Sequence, residues 1–136
     1  MSAKRVKLEI VTPERTVLKT EAASILIPGV DGYIGIQYNH APMVAGMTYG
    51  ILHYGEIRAE KERAAVSGGF VEVSDNRVTV LADTAELADE IDVARSKAAL
   101  ERARRRLKSR QENIDYARAE AALSRAMNRL RAAGAL

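Results

Sequence analysis

The chain has 136 residues, 47% of them hydrophobic, 29% charged and only 4% aromatic, which suits one ordinary domain or a small domain with an appendage. The absence of cysteine excludes disulfide scaffolds, thiolate nucleophiles and cysteine-held metals, and two histidines, His40 and His53, exclude a multi-histidine metal site. The formal charge of +3 hides an asymmetry: residues 1–90 carry 9 Lys/Arg against 13 Asp/Glu, whereas residues 91–136 carry 12 against 5.

In chain order, the first elements read as β. Val6, Leu8 and Ile10 alternate with Lys7 and Glu9, the period of a half-buried strand. Thr12-Pro13-Glu14-Arg15 is turn chemistry, because proline presets φ and removes an amide donor. Ser24–Ile27 is a short apolar run closed by Pro28-Gly29. Further strands are predicted over residues 33–36, 43–47, 50–58 and 62–67. Phe70–Val73 and Val78–Leu81 flank Ser74-Asp75-Asn76-Arg77, a hairpin signal. Strands this short and this closely spaced point to a sandwich or flattened barrel.

Near residue 90 the material changes. All three prolines and eight of the nine glycines precede residue 91, and the last 46 residues hold 12 alanines. Asp92 is a candidate N-cap, followed by Val93, Leu100 and Leu107 at seven-residue spacing with Ser96 and Ala103 between them. A second period, from a candidate cap at Asn113, runs through Ala119, Leu123, Ala126, Leu130 and Ala133 to Gly134. Two helices of about 16 and 20 residues form an antiparallel hairpin with a mostly alanine seam. The turn, Lys108-Ser109-Arg110-Gln111-Glu112, has neither glycine nor proline, so nothing in it forbids one continuous helix. Domains are therefore expected at 1–88 and 89–136.

No apolar run approaches the roughly 20 residues that span a bilayer, and the N-terminus lacks the apolar core of a signal peptide. A cytosolic, soluble protein is expected. Gly32-x-x-Gly35 follows no strand-to-helix arrangement and reads as a turn rather than a phosphate loop. His40 has no evident nucleophile beside it and reads as structural or interfacial. Gly68-Gly69 marks a bulge or close backbone approach. The basic run Arg102–Lys108 suits either a nucleic-acid grip or a solvated, anion-docking helix face. No nucleophile, base and oxyanion hole assemble, so no catalysis is expected.

Arginine spacing carries more. Asp92, Arg95 and Arg102 fall close to one face of the first helix, and Arg125 and Arg129 stand at i, i+4 on the second. A folded hairpin that brings unpaired guanidinium groups together favours a polyanion such as a triphosphate between them. The plainer alternative is a solvated face with scattered ion pairs.

The string Gly32-Tyr33-Ile34-Gly35-Ile36-Gln37-Tyr38-Asn39-His40-Ala41-Pro42 resembles the G-x-L-G-I-L-x-x-H-x-P signature of the epsilon subunit of bacterial F-type ATP synthases. Ser67–Val73 is similar to its G-G-F-x-E-V segment and Val78–Glu86 to V-T-x-L-A-x-x-A-E. Arg118–Leu130 resembles the second helix of the subunit in bacilli. The resemblance spans nearly the whole chain and implies an α+β fold, a β-sandwich of about ten strands followed by a two-helix hairpin. It implies a central-stalk rotor subunit without catalytic cofactor, peripheral on the cytoplasmic face of the cell membrane. The sandwich would bind the gamma subunit and the c-subunit ring through the loop around residues 31–42, with Asp31, Tyr33, Tyr38, His40 and Pro42 as contacts.

The helices would inhibit ATP hydrolysis when extended towards the alpha and beta subunits, and about 45 residues of helix reach roughly 65 Å. In bacillus-type relatives ATP is a regulatory ligand of the folded hairpin. Carried over residue by residue, its binding positions are Glu86, Asp92, Arg95, Arg102, Arg125 and Arg129. Ser96 stands where the motif has alanine, and Gln37 with Tyr38 depart from the G-I-L-x-x-H pattern. Outside that resemblance the alternative readings are a basic-helix nucleic-acid-binding module and a free-standing nucleotide sensor.

Overall fold

The computed structural model describes residues 4–109 and 114–136. Ten strands form two five-stranded sheets, followed by two helices. The strands are β1 (Val6–Val11), β2 (Thr16–Ala22), β3 (Ser24–Gly29), β4 (Gly32–Ile36) and β5 (Met43–Gly46), then β6 (Gly50–Gly55), β7 (Glu62–Ser67), β8 (Phe70–Ser74), β9 (Arg77–Leu81) and β10 (Thr84–Leu87). The first sheet runs β2-β1-β9-β8-β5 and the second β10-β7-β6-β3-β4. Neighbours pair antiparallel, except that β1 and β9 are parallel.

The period-2 patterns do the work expected of them. Leu8, Ile10, Val71 and Val80 of the first sheet meet Ile25, Ile27, Ile36 and Leu52 of the second in one buried cluster. Burying each such side chain contributes about 1.5–3 kcal/mol, which is ample for a small core. The turn between β8 and β9 is Asp75-Asn76, both at positive φ (51° and 58°), the type I′ geometry that matches strand twist. Gly69 (φ 96°) follows Gly68 into a close approach: a Cβ there would lie 1.9 Å from the Leu81 carbonyl oxygen.

Two strands were not visible as periodic runs. In β2 only Val17 and Ala22 are buried, five residues apart, and in β10 only Ala85 is. Both are outer strands of their sheets, so alternation has little core to report on. The run predicted over 50–58 ends at Gly55, whose φ of 152° breaks the strand.

β7 departs from alternation in the opposite way. Ala64, Ala65, Val66 and Ser67 are all buried, because the inward face meets the core while the outward face is covered by a helix. A 3-10 turn at Ala88–Glu90 leads to α1 (Val93–Lys108) and α2 (Tyr116–Ala132). Asp92 caps α1 by accepting from the Arg95 N–H at 3.0 Å. The cap of α2 is Asp115, which accepts from the Arg118 N–H at 3.0 Å. Asn113, the expected cap, and residues 110–112 of the expected turn lie outside the described residues. α2 is accordingly 17 residues rather than about 20. It stops at Gly134 (φ 76°), with the Ala135 N–H donating to Leu130 O at 2.8 Å and the Gly134 N–H to Arg131 O at 3.0 Å. This is a Schellman ending.

Between the helices the seam is thin. Leu100, Ala126 and Leu130 form its buried cluster, with Ala103, Ala119 and Ser96 buried nearby. The hairpin rests on the sandwich through the end of α2: Ala132 packs with Ala65 and Ile91 in a small cluster of its own, which Ile51 and Ala133 flank. Arg15 of the β1–β2 turn pairs with Glu90 at 3.0 Å, tying the linker to the sandwich.

Candidate functional site: an arginine pocket between the helices

Small residues decide the shape of the hairpin's outer groove. Ala99 and Ala103 of α1 face Ala122 and Ala126 of α2, and the low floor they make is walled by Arg102, Arg106, Arg125 and Arg129. The pocket holds about 190 Å³. Next to it, a shallow notch is lined by Tyr49, Ser67 and Thr84 of the sandwich, by Glu86, and by Arg125, Asn128 and Arg129 of α2. Arg129 Nε forms an ion pair with Glu86 Oε1 at 2.5 Å. Among the described residues no carboxylate lies within ion-pair distance of Arg102, Arg106 or Arg125. Cations gathered without counter-charge repel one another, and an anion between them relieves that repulsion.

Four of the six residues assigned to ATP from the sequence therefore converge: Glu86, Arg102, Arg125 and Arg129. Asp92 and Arg95 line neither depression. The Asp92 carboxylate caps α1, and Arg95 is exposed about 10 Å along the helix from Arg102. Ser96 is buried in the seam. Arg106 and Asn128 were missed from the sequence. Arg106 was legible as the i+4 neighbour of Arg102, and Asn128 as part of the Arg125/Asn128/Ala132 face.

The basic run does not present one continuous face. Arg102 and Arg106 turn into the pocket, Arg104 pairs with Glu101 at 3.2 Å, and Arg105 and Lys108 are exposed. An uninterrupted cationic stripe for a phosphate backbone is therefore absent from α1.

The five expected partner contacts fall at opposite ends of β4, an edge strand about 13 Å long. Asp31 and Tyr33 sit at the β3–β4 end, where the Tyr33 hydroxyl accepts from the Ile51 N–H at 3.3 Å. Tyr38, His40 and Pro42 sit at the other end. There Lys4 Nζ lies 4.9 Å from the Tyr38 ring centre, and His40 Nδ1 is 2.7 Å from Ala41 O. Asn39 (φ 64°) anchors that loop by donating its N–H to Asn76 Oδ1 at 2.7 Å. A groove of about 310 Å³ follows, lined by Ser24, Gly35, Ile36, Gln37, Tyr38, Asn39 and His40. His53, on β6 opposite Arg63, titrates below its ordinary value because it is partly buried and faces Arg63 and Lys61. Among the described residues no cluster of His, Cys, Asp or Glu is arranged to hold a metal ion. Among the described residues no helix is long and apolar enough to cross a membrane.

Comparison with known proteins places this architecture. Residues 5–88 match the family description "ATP synthase, Delta/Epsilon chain, beta-sandwich domain" and residues 89–134 match "ATP synthase, Delta/Epsilon chain, long alpha-helix domain". A protein of Symbiobacterium thermophilum named ATP synthase epsilon chain is 59% identical over 130 residues, covering 95% of this chain and 93% of its own. One of the same name in Moorella thermoacetica is 50% identical over 129 residues, covering 95% and 96%. Among solved structures, a chain of the Euglena gracilis mitochondrial ATP synthase, resolved with OSCP, F1 and the c-ring, is 27% identical at a TM-score of 0.77 and covers 98% of this chain and 83% of its own. With both descriptions matching in order and relatives aligned over nearly their full length, the chain belongs to the ATP synthase delta/epsilon chain family.

Proposed function

We propose that the chain serves as the epsilon subunit of a bacterial ATP synthase, a non-catalytic part of the central stalk, and that ATP holds its helical hairpin folded. The observation that carries the second half is the pocket, whose four arginines come two from each helix. In one continuous helix Arg102 and Arg125 would stand about 35 Å apart. No phosphate chain spans that distance, so ATP would bind the folded form far better than the extended one. That difference is what a ligand needs to shift a conformational balance. At about 1,000 times its dissociation constant ATP would add about 4 kcal/mol to the folded form. Extension, and inhibition of hydrolysis with it, would follow when ATP falls.

The pocket is smaller than the roughly 300 Å³ at which complete small-molecule sites begin. It suits the phosphates, leaving ribose and base to the rim around Glu86. The Glu86–Arg129 pair fits this role as the internal counter-charge that the phosphates join or replace. The gamma subunit and the c-ring are the proposed partners of the sandwich, and the two ends of β4 offer two separate contacts. The peripheral position on the cytoplasmic face of the membrane follows from that assembly. The alpha and beta subunits are met only by the extended helices.

Calorimetry with ATP tests the nucleotide half. Arg125→Ala and Arg129→Ala should each weaken binding by at least about 1.5 kcal/mol, the lower range for a hydrogen bond to a charged group. Unchanged affinity in both variants sinks the assignment. Co-purification with gamma tests the other half, and its absence would remove the stalk reading.

A further inference from the structure

We propose that Asn128 is a positioning residue that sets where α2 sits on the sandwich, and through that placement holds Arg125 and Arg129 over Glu86. Its carboxamide Nδ2 donates to Gly50 O at 2.8 Å and reaches Val66 O at 3.4 Å. Those carbonyls belong to residues paired across β6 and β7. Both partners are acceptors, which fixes the nitrogen as the atom facing the sheet. Among the described residues Asn128 is the one side chain of α2 that hydrogen-bonds to the sandwich main chain.

The rest of the contact is poor at fixing position. Ala132, Ala65 and Ile51 present small, smooth apolar surface, and such contact is non-directional. Sliding α2 by one residue so that Ala133 takes the place of Ala132 would move it about 1.5 Å and turn it about a quarter of a revolution, which keeps alanine against the sheet. The Asn128 bond does not survive that slide, and neither does the reach of Arg129 to Glu86 one residue on. The docking claim stands on these contacts alone; only its consequence for nucleotide affinity rests on the ATP reading above.

The test uses the full chain. Because it holds no cysteine, fluorophores on Glu21→Cys of β2 and Glu120→Cys of α2 report the docked fraction by energy transfer. Asn128→Asp keeps shape and helix propensity while replacing the donor by an acceptor that faces two carbonyls. The ionisable groups around it are Arg125, Arg129, Glu86 and Tyr49, so the unsubstituted protein is measured at each pH as the reference. At neutral pH both Asn128→Asp and Asn128→Ala should lower the docked-to-undocked ratio about tenfold, at the upper end for one hydrogen bond.

The carbonyls it faces raise the new carboxyl above the ordinary value of about 3.9 in the docked form, against the opposing pull of Arg125 and Arg129. Docking is then retained below that ordinary value and lost as pH rises through the raised one. Acidification to about pH 4 should therefore restore docking to Asn128→Asp and not to Asn128→Ala. A merely space-filling role predicts no such rescue. The proposal is overturned if neither variant changes the docked fraction, or if the two respond identically at every pH. The melting temperature of the sandwich, unchanged in both, separates undocking from unfolding. Loss of docking in a protein that binds no ATP supports the positioning role and removes the nucleotide reading.

Discussion

The sandwich and the hairpin meet at residue 90 and use apolar burial in very different amounts. Among the described residues the sandwich buries Leu8, Ile10, Ile25, Ile27, Ile36 and Leu52 completely, within a cluster drawn from both sheets. The hairpin's cluster has two leucines and an alanine. The sandwich gathers neighbours distant in sequence and has no other arrangement that buries its alternating residues. The hairpin is a local structure whose helices satisfy their own main-chain bonds folded or extended, so only the thin seam, the docking of α2 and the arginine pocket choose between forms. If ATP holds the hairpin folded as proposed, one region is invariant and the other conditional.

The harshest test of that contrast compares two leucines. Leu52→Ala should cost about 2–5 kcal/mol of global stability, read as a lowered midpoint in urea. Leu130→Ala, equally buried, should leave the sandwich midpoint nearly where it is and instead expose α2 to exchange and proteolysis. Equal shifts in the sandwich midpoint would mean that the two regions unfold as one unit, and the comparison would fail.

Next in size is a substitution that adds bulk instead of removing it. Ala126 is 1% exposed on the pocket floor, so Ala126→Leu should cost the closed hairpin about 1–3 kcal/mol through overpacking. Leucine is nearly as good a helix former as alanine, so circular dichroism should show helix content retained. Energy transfer between sandwich and α2 should fall. Retained energy transfer would mean the seam has slack, and the alanine floor would not be what shapes the pocket.

These expectations show what the sequence made legible. Period-2 alternation placed β1, β8 and β9 because their inward residues meet a core and their outward ones meet solvent. It failed for β2 and β10, whose few buried residues follow no period. The arginines of the pocket could be picked out because i, i+4 spacing on a helix puts side chains on one face. What could not be read was the mutual placement of two helices and a sheet. That placement brings Arg106 into the pocket, leaves Asp92 and Arg95 outside it, and sets Asn128 against Gly50 and Val66. The run Ala64-Ala65-Val66-Ser67, which lacks charged residues on either face, was a usable clue that something covers β7 from outside, and the alternation rule reads it only as an anomaly.

A smaller effect is expected at the helix start. Asp115→Ala removes the acceptor for the Arg118 N–H and should cost α2 about 1 kcal/mol. Because α2 carries the docking contacts, the loss should appear as faster exchange in α2 and weaker ATP binding, with the sandwich midpoint unmoved. A shift confined to the sandwich would contradict the division drawn between the two regions.

The mildest perturbation is acid, and it tests the invariant region. His53 lies on β6, half-buried and opposite Arg63 of β7, with Lys61 nearby. Burial first, and then these two cations, hold its pKa below the ordinary 6.5. The unfolded chain therefore takes up this proton before the folded one does as pH falls, and stability must decline where the unfolded state binds more protons. The loss begins near the ordinary value of 6.5 and is complete once pH has passed below the lowered folded value. Solvent reaches the imidazole, so the effect is small. His53→Gln, which cannot charge, should flatten the dependence of the urea midpoint on pH between about 7 and about 5, the interval in which histidine titrates. If the variant and the unsubstituted protein lose stability in parallel over that interval, His53 is not what makes the sandwich sensitive to acid.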